Sequence, residues 1–232
     1  MTTSDGLVDP SVGEPRARMS PAAAAGSVPR RCWDSADPIY VAYHDREWGR
    51  PVTDERGLFE RLCLEGFQSG LSWLTILRKR EAFRAAFAGF DPDRVARFGK
   101  RDIDRLLGDA GIVRHRGKIE AAVANARGTL ALRDNGTPLH ELVWSHRPAK
   151  QRSPRTRKDW QATTPESAAL SKELKRAGFR FVGPTTVYST MQACGVVNDH
   201  LVPCHVHDEV EREIATASMP SNRLLQSRAR RE

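Results

Sequence analysis

Residues 106–119 read LLGDAGIVRHRGKI. Leu106 and Leu107 end one helical stripe, Gly108 to Ile112 form a tight turn, and Lys118-Ile119 lead into a new apolar repeat. The pattern is helix, glycine-containing hairpin, helix. Gly111 can take a positive φ, and a second helix would then start at Gly111-Ile112 with unpaired backbone amides. Such amides, helped by the helix dipole, hold a phosphate without reading a base. Arg114, His115, Arg116 and Lys118 follow directly and would add charge. An ordinary αα-corner with a solvated basic face has the same signature, so both readings stand at this point.

The rest of the chain reads helical as well. Thr53 or Asp54 caps a helix whose stripe is Leu58, Phe59, Leu62 and Cys63. A second begins near Ser72 and turns Trp73, Ile76, Leu77, Phe83 and Phe87 inward. Asp91-Pro92 starts a short turn, and Asp102 opens a helix ending near Leu107. Lys118 to Leu132 form the helix after the hairpin, broken by Asn135-Gly136. Thr164-Pro165-Glu166 is a helix start with a capping hydroxyl and proline in the first turn. Leu170, Leu174 and Ala177 line its inner face, and Gly178 ends it. Phe179 to Val182 read as briefly extended, and Thr185 to Val197 as a last buried helix. There is no internal repeat and no convincing sheet, so the expected class is all-α.

With 232 residues and 39% hydrophobic content, one core is expected. It is placed at residues 31–205, between an N-terminal extension at 1–30 and a tail at 206–232, both expected to be disordered. The first segment is rich in Pro, Ala, Gly and Ser but has no sustained apolar run, which argues against a signal peptide. Nothing approaches the roughly 18 apolar residues of a membrane helix, so a cytoplasmic protein without a membrane partner is expected. The net charge of +8 comes mainly from Arg147, Lys150, Arg152, Arg155, Arg157 and Lys158, a segment with no acidic residue. A solvated loop and a phosphate-contacting arm explain it equally well.

Two constellations carry chemistry. Tyr40, Tyr43, His44, Asp45, Glu47 and Trp48 stand together, followed by Glu65 and Trp73, in a chain with only five Trp and three Tyr. Glu65 falls at the end of a buried helical stripe, where a carboxylate is costly without a partner. Aromatic rings beside a carboxylate suit a flat, polar or cationic ligand such as a nucleobase, though a neighbouring helix N-terminus could also satisfy Glu65. The other constellation is two pairs, Cys32-x11-His44 and His200-x3-Cys204. Together they offer a Cys2His2 tetrahedron suited to a structural zinc, with no open position for an activated water. Cys63 and Cys194 lie on apolar helical faces and read as core.

The stretches at 37–45, Glu47-Trp48-Gly49, Cys63-Leu64-Glu65-Gly66, Gly70-Leu71-Ser72-Trp73, 110–119, Gly178-Phe179, Phe181-Val182-Gly183, 191–195 and Val197-Asn198-Asp199-His200 resemble the 3-methyladenine DNA glycosylase I family in the same order along the chain. The resemblance implies a fold of the helix-hairpin-helix glycosylase superfamily. It implies one structural zinc joining the terminal segments on Cys32, His44, His200 and Cys204. Its base pocket falls on Trp33, Tyr40, Tyr43, Trp48, Glu65 and Trp73, with Tyr43 and Trp73 sandwiching the ring and Glu65 as the catalytic carboxylate. Its DNA contacts fall on Gly111, Ile112, Arg114, Arg116 and Lys118. The activity implied is excision of N3-methyladenine from alkylated duplex DNA by a monomer, with free 3-methyladenine as product. The wider superfamily often carries a catalytic Asp just after the hairpin; here none occurs between Lys118 and Asp134, which matches this family. One departure is that Trp33 follows Cys32 directly, where the family usually has an intervening residue. A zinc-stabilised DNA-binding module without hydrolytic activity is the rival reading, and a zinc hydrolase is disfavoured by the four filled ligand positions.

Overall fold

Short polar residues cut this chain into helices. The computed structural model describes residues 29–217; residues 1–28 and 218–232, which hold most of the two expected disordered segments, lie outside the described residues. Asp37 accepts the Ile39 amide at 2.9 Å and starts α1 (Pro38–Arg46). Asp54 accepts the Gly57 amide at 2.8 Å and starts α2 (Glu55–Gln68), and Ser72 caps α3 (Trp73–Ala86). Asp91 caps the short α4 (Pro92–Val95). Then come α5 (Lys100–Gly108), the hairpin, and α6 (Arg116–Asp134). After α7 (Leu139–Trp144), α8 (Pro165–Arg176) begins at Thr164 as its sequence signals predict. The chain closes with α9 (Pro184–Ala193) and α10 (His207–Thr216). No strand occurs among the described residues, so the fold is all-α.

The main core lies around α2, which packs against α3, α6, α7 and α9. Its stripe, Leu58, Phe59, Leu62 and Cys63, is buried as expected. Phe67, Phe83, Phe87 and Phe90 continue it, with Phe87 and Phe90 stacked at 5.5 Å and 7°. Each such side chain contributes roughly 1.5–3 kcal/mol by burial. A second, smaller cluster joins Cys32, Tyr43, Trp48, Leu201, Cys204, Val206, Val210 and Ile214, and so ties the two ends of the described chain together. Trp73 packs against both clusters.

Three expectations change. Residues 179–182 are not extended throughout, since Phe181 turns at φ +55°; the buried Asn125 amide clamps this turn, donating to the Arg180 carbonyl at 3.2 Å and accepting its N–H at 2.7 Å. The helix expected from Thr185 to Val197 stops at Ala193. The tail expected to be disordered from residue 206 instead forms α10 over His207–Thr216. Val210 and Ile214, one turn apart, are buried, while Arg50 pairs with Glu209 at 3.0 Å and with Glu213. The alternating charges there belong to the outer face of an amphipathic helix rather than to a solvated tail. No helix among the described residues is long and apolar enough to cross a membrane.

Candidate functional site

Cys32, His44, His200 and Cys204 converge in the smaller cluster. All four are buried, and their ligand atoms lie within 4.8 Å of one another. The His200 Nδ1 is 3.3 Å from the Cys32 Sγ and 3.6 Å from the Cys204 Sγ, and the His44 Nε2 is 3.6 Å from the Cys204 Sγ. A tetrahedral ion with metal–nitrogen and metal–sulfur bonds of about 2.05 and 2.3 Å places nitrogen and sulfur about 3.6 Å apart. The spacing therefore fits a metal ion. Outer partners fix the imidazoles for that role. His44 gives its Nδ1 proton to Asp45 at 2.7 Å, and Arg31 and His205 hold the same carboxylate. The Nε2 of His200 meets the Trp48 carbonyl at 2.9 Å. Both remaining imidazole nitrogens face the thiols. The thiols share a proton unevenly: its bond with Cys204 and burial push Cys32 up, while Cys32 and the two imidazoles pull Cys204 well below the usual thiol range. Gly49, at φ +81°, makes this closeness possible, since a Cβ there would lie 2.9 Å from the His200 ring. The direct Cys32-Trp33 step does not disturb the ligand set.

Beside the cluster opens a cavity of about 250 Å³. Ligand pockets commonly hold about 300–1,000 Å³, so this one suits a small molecule. Trp33, Tyr40, Tyr43, Trp48, Glu65 and Trp73 all line it. The rings are not arranged as expected: Tyr43 and Trp73 touch, with centroids 5.4 Å apart at 48°. A ring sandwiched between two others needs about twice the 3.5 Å contact distance. These two form a corner instead. Trp33 packs on Tyr40 at 5.2 Å and meets Trp48 edge-on at 4.9 Å.

The pocket keeps one carboxylate and two indoles uncommitted. Glu65 is 6% exposed, and no group among the described residues hydrogen-bonds its carboxylate, so no helix N-terminus satisfies it. Burial pushes its pKa up to about 8, against the partial opposition of the Arg61 charge. The indole nitrogens of Trp33 and Trp73 are buried without a partner. Unpaired buried polar atoms are uncommon, and these three groups face the same cavity. Gln68, Trp160, Ser189 and Gln192 complete the wall and escaped sequence reasoning. Gln68 stands three residues after Glu65 and carried a helical-spacing signal; Trp160 carried none. Trp160 is fixed by its indole N–H on the Asp199 carbonyl at 2.9 Å, and the Asp199 carboxylate accepts the Gln192 amide at 2.6 Å.

The hairpin differs from its sequence reading. Gly111 is not among the positive-φ glycines. Glycine is needed because a Cβ would come within 2.9 Å of both the Ala82 Cβ and the Asp109 Oδ1. The second helix starts at Arg116, not at Gly111-Ile112. The Gly111 amide is already taken by the Asp109 carboxylate at 2.7 Å, and the Ile112 amide by the Asp109 carbonyl at 3.3 Å. Lys118 is not a surface cation: it is buried, and its ammonium donates to the Phe67 and Ser69 carbonyls at 2.9 and 2.5 Å, capping the end of α2. Arg114 and Arg116 are exposed, with Arg116 paired to Asp104 at 3.5 Å.

The basic segment at 147–158 is anchored at several points. Arg157 donates to the Cys32 carbonyl at 2.7 Å and reaches Asp34 at 3.3 Å. The Pro154 carbonyl accepts the Val202 amide at 2.8 Å. Arg147, Lys150, Arg152, Arg155 and Lys158 stay exposed.

A model of the family described as methyladenine glycosylase matches residues 33–207. The DNA-3-methyladenine glycosylase 1 of Escherichia coli (strain K12) is 54% identical over 178 residues, spanning 75% of this chain and 95% of its own. A crystal structure of a 3-methyladenine DNA glycosylase I superposes with a TM-score of 0.74 at 51% identity, covering 77% of this chain and all of that one. The Staphylococcus aureus 3-methyladenine DNA glycosylase I, solved for the structural basis of 3-methyladenine recognition, gives 0.72 at 40% identity over 75% of this chain and 93% of its own.

Proposed function

The chain belongs to the methyladenine glycosylase family, and from that premise we propose that it hydrolyses the N-glycosyl bond of N3-methyladenine in alkylated double-stranded DNA, releasing free 3-methyladenine for base excision repair. The observation that carries this reading is the pocket itself: a buried, unpartnered carboxylate and two unpartnered indole donors within aromatic walls. Alkylation at N3 makes the base cationic while it is attached to the sugar. It leaves neutral, so the bond is already weak and little acid catalysis is required. The protein needs a pocket that accepts the extruded base. Arrival of a cation favours the ionised form of Glu65, which then accepts hydrogen bonds from the adenine edge and opposes its charge. The aromatic corner adds about 0.5–2 kcal/mol of cation–π attraction.

The metal we assign to Cys32, His44, His200 and Cys204 is zinc, held structurally, because two thiolates and two imidazoles match its ligand preference and fill a tetrahedron. The glycosylase domain extends from residue 31 through α10. We read α5, the hairpin and α6 as a helix-hairpin-helix that meets the DNA backbone through Arg114 and Arg116, with Gly111 and Ile112 setting the turn; Lys118 leaves the contact set. The pocket and the metal cluster are each completed within one chain, which supports a monomer, and DNA as substrate supports a cytoplasmic location. The test is release of free base from methylated duplex in single turnover. Glu65→Gln keeps the shape and loses the charge. A hydrogen bond to a charged group is worth roughly 1.5–3 kcal/mol, so release should fall about tenfold to a hundredfold. Binding to undamaged duplex should stay unchanged. A wild-type protein that binds DNA but releases no base would favour the binding-module reading.

A further inference from the structure

We propose that Arg61 is a positioning residue for the base pocket: its buried guanidinium, lodged behind Tyr43, supplies the countercharge that eases ionisation of Glu65 when a cationic base arrives. This rests on the reading of Glu65 given above. Arg61 stands one helical turn before Glu65 on α2, so the two share a face. Its guanidinium carbon lies 5.8 Å from the centroid of the Tyr43 ring, a wall of the pocket. One of its terminal nitrogens donates to Glu47 at 2.9 Å, and the other is buried with no partner.

The charge balance behind the wall is uneven. Glu47 also accepts Arg80 at 2.5 and 3.0 Å, so two guanidiniums share one carboxylate. The side chains of Arg61 and Arg80 are only 12% and 17% exposed, so water screens this surplus positive charge poorly. Ionised Glu65 cancels it; protonated Glu65 does not. The titratable groups facing Glu65 are Tyr40 and Tyr43 from α1, Arg61 from its own helix, and Cys194 at the end of α9. The neighbours from α3 and α9 that line the pocket, Trp73, Ser189 and Gln192, carry no charge. Burial keeps the two phenols and the thiol neutral, with Cys194 pushed up to about 12. Arg61 is thus the charge that acts on Glu65. It does so without a hydrogen bond to it, which leaves every oxygen lone pair of Glu65 open to the base. A direct salt bridge would favour ionisation more strongly but would occupy those lone pairs.

The test compares Arg61→Met, Arg61→Gln and Arg61→Lys with the wild-type chain. Glu65 is titrated in the free, metal-loaded protein by carboxyl carbon NMR on 13C-glutamate, with Glu65→Gln assigning the signal. Removing a unit charge about 6 Å away, the one-turn spacing on a helix, at an effective dielectric of about 20 should raise the midpoint by about two pH units. Arg61→Met and Arg61→Gln should both show this; Arg61→Lys should stay near wild type. Arg80 alone then holds Glu47, and Arg61→Gln keeps a hydrogen bond to it, so at least one neutral variant retains the fold. In single-turnover excision the acid limb should move up with the midpoint, losing about a hundredfold near neutrality and recovering at high pH. An unmoved midpoint in either neutral variant, or an equal rate loss at every pH, overturns the proposal. The titration needs no substrate, so a wild-type protein that fails to release base sinks the functional reading alone.

Discussion

The Cys2His2 cluster and the aromatic pocket share a wall of rings, with Trp33 packed on His44 at 4.7 Å and Trp48 on His200 at 4.6 Å, yet they are finished in opposite ways. In the cluster each imidazole has an outer partner, Asp45 or the Trp48 carbonyl, and turns its other nitrogen toward the thiols. In the pocket Glu65 and two indole nitrogens have no internal partner. A group completed from behind is built to hold one thing permanently. A group left open accepts something that comes and goes, at a standing cost in stability. The cluster should therefore govern folding and the pocket should govern turnover.

The largest expected effect lies on the cluster side. Removing the metal with a strong chelator, or replacing one ligand by Cys204→Ser, should unfold the smaller core that joins the two ends of the chain. Apparent binding energies for structural zinc are about 10–16 kcal/mol in small folds, as large as the whole stability of a typical domain, about 5–15 kcal/mol. Thermal unfolding followed with elemental analysis checks this. A folded protein with no metal and an unchanged Tm would break the comparison at its strongest point.

The pocket side predicts the reverse sign. Glu65 is raised from the ordinary carboxylate range to about 8 in the folded protein. Below the unfolded pKa of about 4.3 both states hold the proton, and Glu65 costs nothing. As pH rises the unfolded chain ionises while the folded one stays protonated, so stability falls until about pH 8 and then levels off. Glu65→Gln removes this dependence. The variant should match wild type near pH 4 and exceed it by a few kcal/mol above pH 8. Tm measured across pH 4–9 is the check. Destabilisation at all pH values would make Glu65 a structural group.

These two regions were unequally legible in the sequence. The metal set was readable because ligand chemistry restricts it to a few residue types, and Cys32, His44, His200 and Cys204 stood as two spaced pairs. Tyr40, Tyr43, Trp48 and Trp73 were readable as an aromatic concentration with one misplaced carboxylate, Glu65, while Trp33 came only with the family resemblance. Their mutual angles were not, since the Tyr43–Trp73 corner depends on how α1 meets α3. Gln192 and Trp160 come from distant segments, joined through Asp199. Lys118 misled because a lysine in a basic run gives no local sign that its ammonium turns inward to another helix's carbonyls. α10 was hidden by its outer charges, although Val210 and Ile214 carried the one-turn spacing.

The smallest expected effect tests whether the basic segment belongs with the built cluster or with the open pocket. Arg157 and Arg155 are two residues apart and equally basic, but only Arg157 is tied inward, to the carbonyl of Cys32 in the Cys2His2 cluster. Arg155 is exposed, and its backbone amide donates to Asp159 at 3.0 Å, which fixes the chain without using the guanidinium. If the segment is a DNA-contacting arm, Arg155→Ala should lower affinity for undamaged duplex a few-fold. It should also reduce the slope of log affinity against log salt by about 0.9, the loss of one phosphate contact. Arg157→Ala should leave that slope nearly unchanged and instead lower Tm modestly, because it removes a charge-assisted hydrogen bond worth roughly 1.5–3 kcal/mol before solvent screening at a half-exposed site. Affinity measured at several salt concentrations for both variants separates the roles. Equal slopes for wild type and both variants would return the exposed arginines to a solvated face. A slope change with Arg157→Ala alone would mean that the anchored residue, and not the exposed one, reaches the DNA.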